Sequence, residues 1–115
     1  MKFEISIVLL QDAEDFVYSL NEKTRQKVFF DFRKVKDGLK GEWFKKMKGT
    51  DDLFEFRTLH NEQYIRLFAF WDKTGERETL IVCTHGLIKK TDKTPQKEIE
   101  KAERLKREYF EEKDK

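Results

Sequence analysis

Between Ile65 and Trp71 the chain is apolar at both parities of a strand. Phe68 and Phe70 would fall on one face, and Ile65, Leu67, Ala69 and Trp71 on the other. A sheet with one face in water alternates apolar and polar residues, so this run predicts a central strand covered on both sides. Two more aromatic or β-branched runs, Leu53 to Leu59 and Thr79 to His85, flank it across short polar turns at 60–62 and 72–76. Runs joined so tightly predict an antiparallel meander. Arg66 is the exception on the face of Tyr64, Phe68 and Phe70. An arginine inside an apolar strand is costly to bury and needs a partner.

The rest of the chain supplies helices. Phe3, Ile5 and Ile7 alternate with Glu4 and Ser6, the period of a half-buried strand. Asp12 is placed to cap a short helix that lines up Ala13, Phe16, Val17 and Leu20. Asn21 is the next cap, opening a helix with Val28, Phe29, Phe32 and Val35 on one side and Gly38 at its end. Thr94 followed by Pro95 predicts a third start, and Ile99, Ala102, Leu105 and Tyr109 form its narrow apolar stripe. The expected order is β-α-α-β-β-β-α in a single domain over residues 1–115. The class is α+β: two N-terminal helices on a small antiparallel sheet, made of the N-terminal strand and the meander, with a C-terminal helix.

Composition decides what such a domain can be. Charged residues make up 42% of the chain, a level that can signal disorder, yet there are eleven Phe, and disordered chains are poor in aromatics. No apolar run approaches the roughly 20 residues of a membrane span, and the start does not resemble a signal peptide. The single cysteine, Cys83, cannot form an internal disulfide, and with His60 and His85 it makes a meagre ligand set. The expectation is a cytoplasmic protein with no metal and no cofactor. The net charge of +2 conceals an asymmetry: residues 23–48 hold ten basic and three acidic groups, for +7, while residues 1–22 hold one and five, for −4. Lys89, Lys90 and Lys93 form a second basic cluster. Together the two would suit a polyanion; apart, they are solvated faces.

The chain has no Gly-rich phosphate loop, nucleophile elbow or metal-ligand spacing. Its candidate chemistry is a set of cations in apolar sequence: Lys46 and Lys48, then Arg57 and Arg66, then Lys89 and Lys90. A turn centred on Asn61–Glu62 would make Arg57 and Arg66 cross-strand neighbours. Two adjacent guanidiniums can hold a phosphate, although Glu55 could instead tie up Arg57 as a salt bridge. His85 is either a satisfied structural histidine or a general acid or base.

Lys89-Lys90-Thr91-Asp92-Lys93-Thr94-Pro95, continuing through Glu98, Ile99 and Ala102 to Tyr109, resembles the signature of HigB-like toxins, the phage-derived subgroup of the RelE/ParE superfamily. Lys45-Lys46-Met47-Lys48-Gly49, Leu53-Phe54-Glu55-Phe56-Arg57 and Ile65-Arg66-Leu67-Phe68 resemble further motifs of that group, in the same order. Ile65 and Leu87 stand where the group often has Tyr and Phe. The resemblance implies a RelE-like fold, an mRNA interferase working on the translating ribosome, and a cognate helix-turn-helix antitoxin. It places the basic active-site positions on Lys46, Lys48, Arg57, Arg66, Lys89 and Lys90.

A ribonuclease of this kind needs no metal, because the 2′-OH of the RNA attacks the adjacent phosphate. The protein holds the phosphate, stabilises added negative charge and moves protons. The expected catalytic set is Lys46, Lys48, Arg57, Arg66 and His85, with Lys34, Lys36, Lys45, Lys89, Lys90 and Lys93 binding RNA. A gyrase-poisoning toxin of the ParE type is one alternative reading of the sequence. A catalytically inactive module that binds nucleic acid or antitoxin is another.

Overall fold

The computed structural model describes residues 4–91 and 93–114. Phe3, which begins the expected N-terminal alternation, lies outside the described residues. The element order is β1 (Glu4–Leu9), α1 (Gln11–Ser19), α2 (Glu22–Lys36), β2 (Phe44–Lys46), β3 (Phe54–His60), β4 (Gln63–Asp72), β5 (Glu78–Lys89) and α3 (Gln96–Lys113). The strands form one five-stranded sheet in the order β1-β5-β4-β3-β2.

The doubly apolar run occupies the middle of that sheet and is covered on both sides. On one face Ile65, Leu67 and Ala69 pack with Val17, Val28, Phe32 and Val35 of the α1–α2 pair. On the other, Phe68 and Phe70 pack with Ile99, Ala102, Tyr109 and Phe110 of α3. Phe56, Phe68 and Phe70 are almost completely buried, each contributing about 1.5–3 kcal/mol by leaving water.

Local signals place most of the element ends. The Asn21 side chain accepts a hydrogen bond from the Thr24 amide at 2.9 Å, capping α2. Gly38 closes the same helix at φ 82°, where Leu39 N–H reaches back to the Lys34 carbonyl. The β3–β4 hairpin turns on Asn61 and Glu62, both at positive φ, which twists the turn to match its strands.

The structure corrects four expectations. The sheet is mixed, because β1 runs parallel to β5; alternation reports burial and carries no information on strand direction. A fifth strand, β2, forms within the expected loop, since Phe44 stacks on Phe54 and packs at a tilt against Phe56 once β3 is in place. Leu10 precedes α1, and Asp12 sits in its first turn, ion-paired with Lys101 at 3.0 Å. Pro95 occupies the N-cap of α3 with no side-chain cap, one position earlier than Pro at the first helical position.

Candidate functional site

On the face that carries α3, cross-strand partners fall in rows. One row is Glu55, Phe68 and His85; the next is Arg57, Arg66 and Leu87; the last is Leu59, Tyr64 and Lys89. α3 covers Phe68 and Phe70 but stops short of the last row, where Leu59 is 58% exposed and Tyr64 47%. A cleft of about 460 Å³ opens at this bare corner. β2 pairs with β3 only as far as Phe56, and the cleft wraps the strand end beyond it. Lys27, Asp31 and Lys34 of α2 and the Glu42–Trp43 loop therefore share one hollow with Arg57, Tyr64 and Arg66.

Arg57 and Arg66 are direct cross-strand partners, as the turn position suggested. Like charges placed so close repel, and Glu55 bridges them: its Oε1 lies 3.6 Å from Arg57 Nε and 4.0 Å from Arg66 Nε. Arg57 also donates to Glu42 at 3.2 Å, and Arg66 to the Ile65 carbonyl at 3.1 Å. The Arg66 guanidinium sits 5.6 Å from the centre of the Tyr64 ring. Burial pulls the Arg66 pKa below its ordinary value; Glu55 opposes this, and the like charge of Arg57 adds to it. Arg57 Nε, Arg66 Nε and Glu55 Oε2 are buried without a hydrogen-bond partner among the described residues. Buried polar groups nearly always have one, so this charged cluster is held together by ion pairing and is not fully hydrogen-bonded.

The other candidates divide. Lys34 lines the cleft, 4.4 Å from the Trp43 ring centre and 3.3 Å from Asp31. Lys45 is the cross-strand partner of Glu55, so it shares the arginine face, and it pairs with Glu42 at 3.1 Å. Lys46 belongs to the opposite face, opposite Phe54, and is ion-paired with Asp52 at 3.0 Å. Lys48 is exposed in the turn after β2. Lys36 lines a separate hollow between α2 and β1. Lys89 is the strand partner of Tyr64, and β5 extends to include it. Lys90 and Lys93 lie exposed between β5 and α3.

His85 lies beneath α3 and does not line the cleft. A bulge in β5 moves the partner of the β4 chain from His85 to Cys83 between Phe68 and Ala69, leaving Thr84 unpaired. That extra residue turns His85 to the α3 face, where its ring stacks on Phe68 at 4.7 Å. Nδ1 is 3.0 Å from Thr84 Oγ1, and Nε2 is 3.9 Å from Glu98 Oε2. Burial and the nearby Lys101 push its pKa down to about 4, with Asp12 opposing, so the ring is neutral at physiological pH. Cys83 is wholly buried, and burial raises its thiol pKa far above the ordinary value.

Tyr64, Lys27, Glu42 and Trp43 join the site without having been anticipated. The parity of Tyr64 with Arg66 was visible in the sequence; the return of the Glu42–Trp43 loop to the β3 edge was not. Among the described residues, no group of three or more His, Cys, Asp or Glu is placed to hold a metal ion. No helix among them is long and apolar enough to cross a membrane.

A mixed sheet between a helical pair and a single helix, with an arginine pair at its uncovered corner, defines an α+β protein with a cationic cleft. Residues 15–107 match the model of the family described as "Phage derived protein Gp49-like (DUF891)", and the chain belongs to that family. The family is part of the RelE/ParE-like toxin superfamily, and that kinship points to a toxin module of toxin–antitoxin type. No curated protein matches the sequence.

Proposed function

We propose that the chain acts as one domain over residues 1–115, a HigB-like toxin that cleaves mRNA on the translating ribosome in the cytoplasm. A helix-turn-helix antitoxin restrains it. The observation that supports this reading is the Arg57–Arg66 pair at the cleft, with unsatisfied donors on both guanidiniums. In this reading the two arginines grip the scissile phosphate and stabilise the charge that builds on it. The 2′-oxygen of the RNA forms the new P–O bond as the bond to the 5′-oxygen breaks, and the departing oxygen takes a proton from water.

The base that removes the 2′ proton is Glu55. It is the carboxylate in the row beside the arginines and lies within ion-pair distance of both. Lys46, implied by the resemblance, faces the other way and is held by Asp52. Tyr64 offers an exposed ring on which a base can stack, and Lys27, Lys34 and Lys89 guide the strand. Lys36, on a separate hollow, takes no part.

The test is to induce the chain in cells, map the 5′ ends of messages, and repeat the cleavage with purified ribosomes. The expected result is cuts within translated codons, lost by 10²-fold or more in Arg57→Ala and Arg66→Ala variants that remain folded. Intact messages with accumulated cleaved DNA would transfer the activity to gyrase poisoning. Unaffected growth and intact messages would leave a non-catalytic binding module.

A further inference from the structure

The far edge of the sheet is built to receive another strand. β1 pairs with β5 on one side only, and no strand meets its other side among the described residues. The Leu10 amide reaches the Cys83 carbonyl of β5, and the Glu4 amide that of Arg77 just before it, so Ile5, Ile7 and Leu9 turn their N–H and C=O groups outward. Exposed strand edges are ordinarily blunted by a charge, a proline or a bulge; from Ile5 to Leu9 this strand has none. A hollow also flanks it on each face. One, of about 410 Å³, lies under α2 and is lined by Ile7, Leu9, Phe29 and Phe32, with Arg33, Lys36 and Asp37 on it, one positive charge in excess. The other, of about 430 Å³, lies along α3 just past the strand end, against Leu10, Leu105 and Tyr109, with Glu108, Glu112 and Lys113 also lining it.

Side chains of an added strand alternate between the two faces, which is the arrangement these hollows require. We propose that β1 is the docking edge for an extended segment of the antitoxin, which adds a sixth strand. Its residues toward α3 are apolar, and those toward α2 combine apolar and acidic side chains that meet Arg33 and Lys36. Main-chain hydrogen bonds supply affinity, and the two hollows supply specificity. A second copy of this chain is a poor occupant. Antiparallel pairing of two β1 edges would set α2 against α2, with Arg33 and Lys36 facing their own counterparts. Only the naming of the partner as antitoxin rests on the toxin reading.

The test uses the full chain and an end-capped, fluorescein-labelled ten-residue peptide. One alternate set of its residues is Val and Leu; the other is Ile and Glu. A second peptide carries Lys for Glu, and two more are N-methylated on one or the other alternate set. Fluorescence polarisation should show saturable binding of the Glu peptide, with the Lys peptide at least tenfold weaker. In an Arg33→Gln, Lys36→Gln variant that difference should shrink below threefold. N-methylation of one alternate set should abolish binding and of the other should not, and amide exchange at Ile5, Ile7 and Leu9 should slow. Equal binding of both charged peptides, no binding, or equal tolerance of either N-methylation pattern overturns the proposal. So does protection of β1 that grows with protein concentration alone, which would make a second copy the occupant. Toxicity enters none of these measurements, so a non-toxic chain would remove the toxin reading and leave this result standing.

Discussion

Asp72, at the end of β4, is 1% exposed and anchors the C-terminal half of α3. Its carboxylate accepts from Tyr109 Oη at 2.6 Å and Lys113 Nζ at 2.7 Å, and from Thr74 through the amide at 2.9 Å and the hydroxyl at 2.6 Å. Burial alone would raise its pKa; the bonds from Lys113, Thr74 and Tyr109 outweigh that and hold it far below the ordinary carboxylate range. Asp72→Asn removes the charge while keeping the shape. Hydrogen bonds to charged groups are worth about 1.5–3 kcal/mol each. Lys113 is 42% exposed and Thr74 is a turn neighbour, so both recover much of their loss from water. The Tyr109 bond then dominates, and the expected cost is about 3 kcal/mol at pH 7, or roughly 12 °C in Tm for a chain of this size. The sign of the pH dependence follows from the depressed pKa. The stabilisation is complete above the unfolded value near 3.9 and is lost as pH falls through and below it. Thermal unfolding of wild type and Asp72→Asn, followed by circular dichroism from pH 7 to pH 2.5, should show two curves that converge in acid. An Asn variant as stable as wild type at pH 7, or a gap that persists unchanged to pH 2.5, refutes the clamp.

Three further outcomes are expected. A methyl group on Gly86 would collide with the Phe16 ring and meet the Arg66 carbonyl at 2.9 Å; Gly86→Ala should cost about 1–3 kcal/mol in urea unfolding. Neutral, buried His85 titrates near 4 when folded against about 6.5 unfolded, so it subtracts stability as pH drops through that window. His85→Phe should unfold with about 3 kcal/mol less pH dependence between 7 and 4. In ribosome cleavage assays, Glu55→Gln should lower the rate about 10²-fold, whereas Lys46→Ala should remain within threefold of wild type; the reverse order would return the base to the lysine.

The elements that could be read from the sequence are those with a strong local cause. The doubly apolar Ile65–Trp71 run becomes the buried centre of the sheet, Asn21 caps α2, and Gly38 ends it at positive φ. Even the opposition of Arg57 and Arg66 was accessible, because a two-residue turn at Asn61–Glu62 sets the register of everything beyond it. β2 was not, since three residues with two lysines have no strand signal until Phe44 finds Phe54 and Phe56.

The site divides along the same line. Residue types, charge clustering and strand parity, all properties of the chain, determined that a pair of arginines would share a face with Tyr64. Tertiary structure decided which cations join them. A one-residue bulge at Thr84 buries His85 under α3, and the position of one short strand sends Lys46 to the opposite face and Lys45 to the arginine face. Charge reads as a total along a sequence, but it acts as a field in space. Which lysines contribute to that field depends on the direction of each Cα–Cβ bond, and packing across the sheet is what sets those directions.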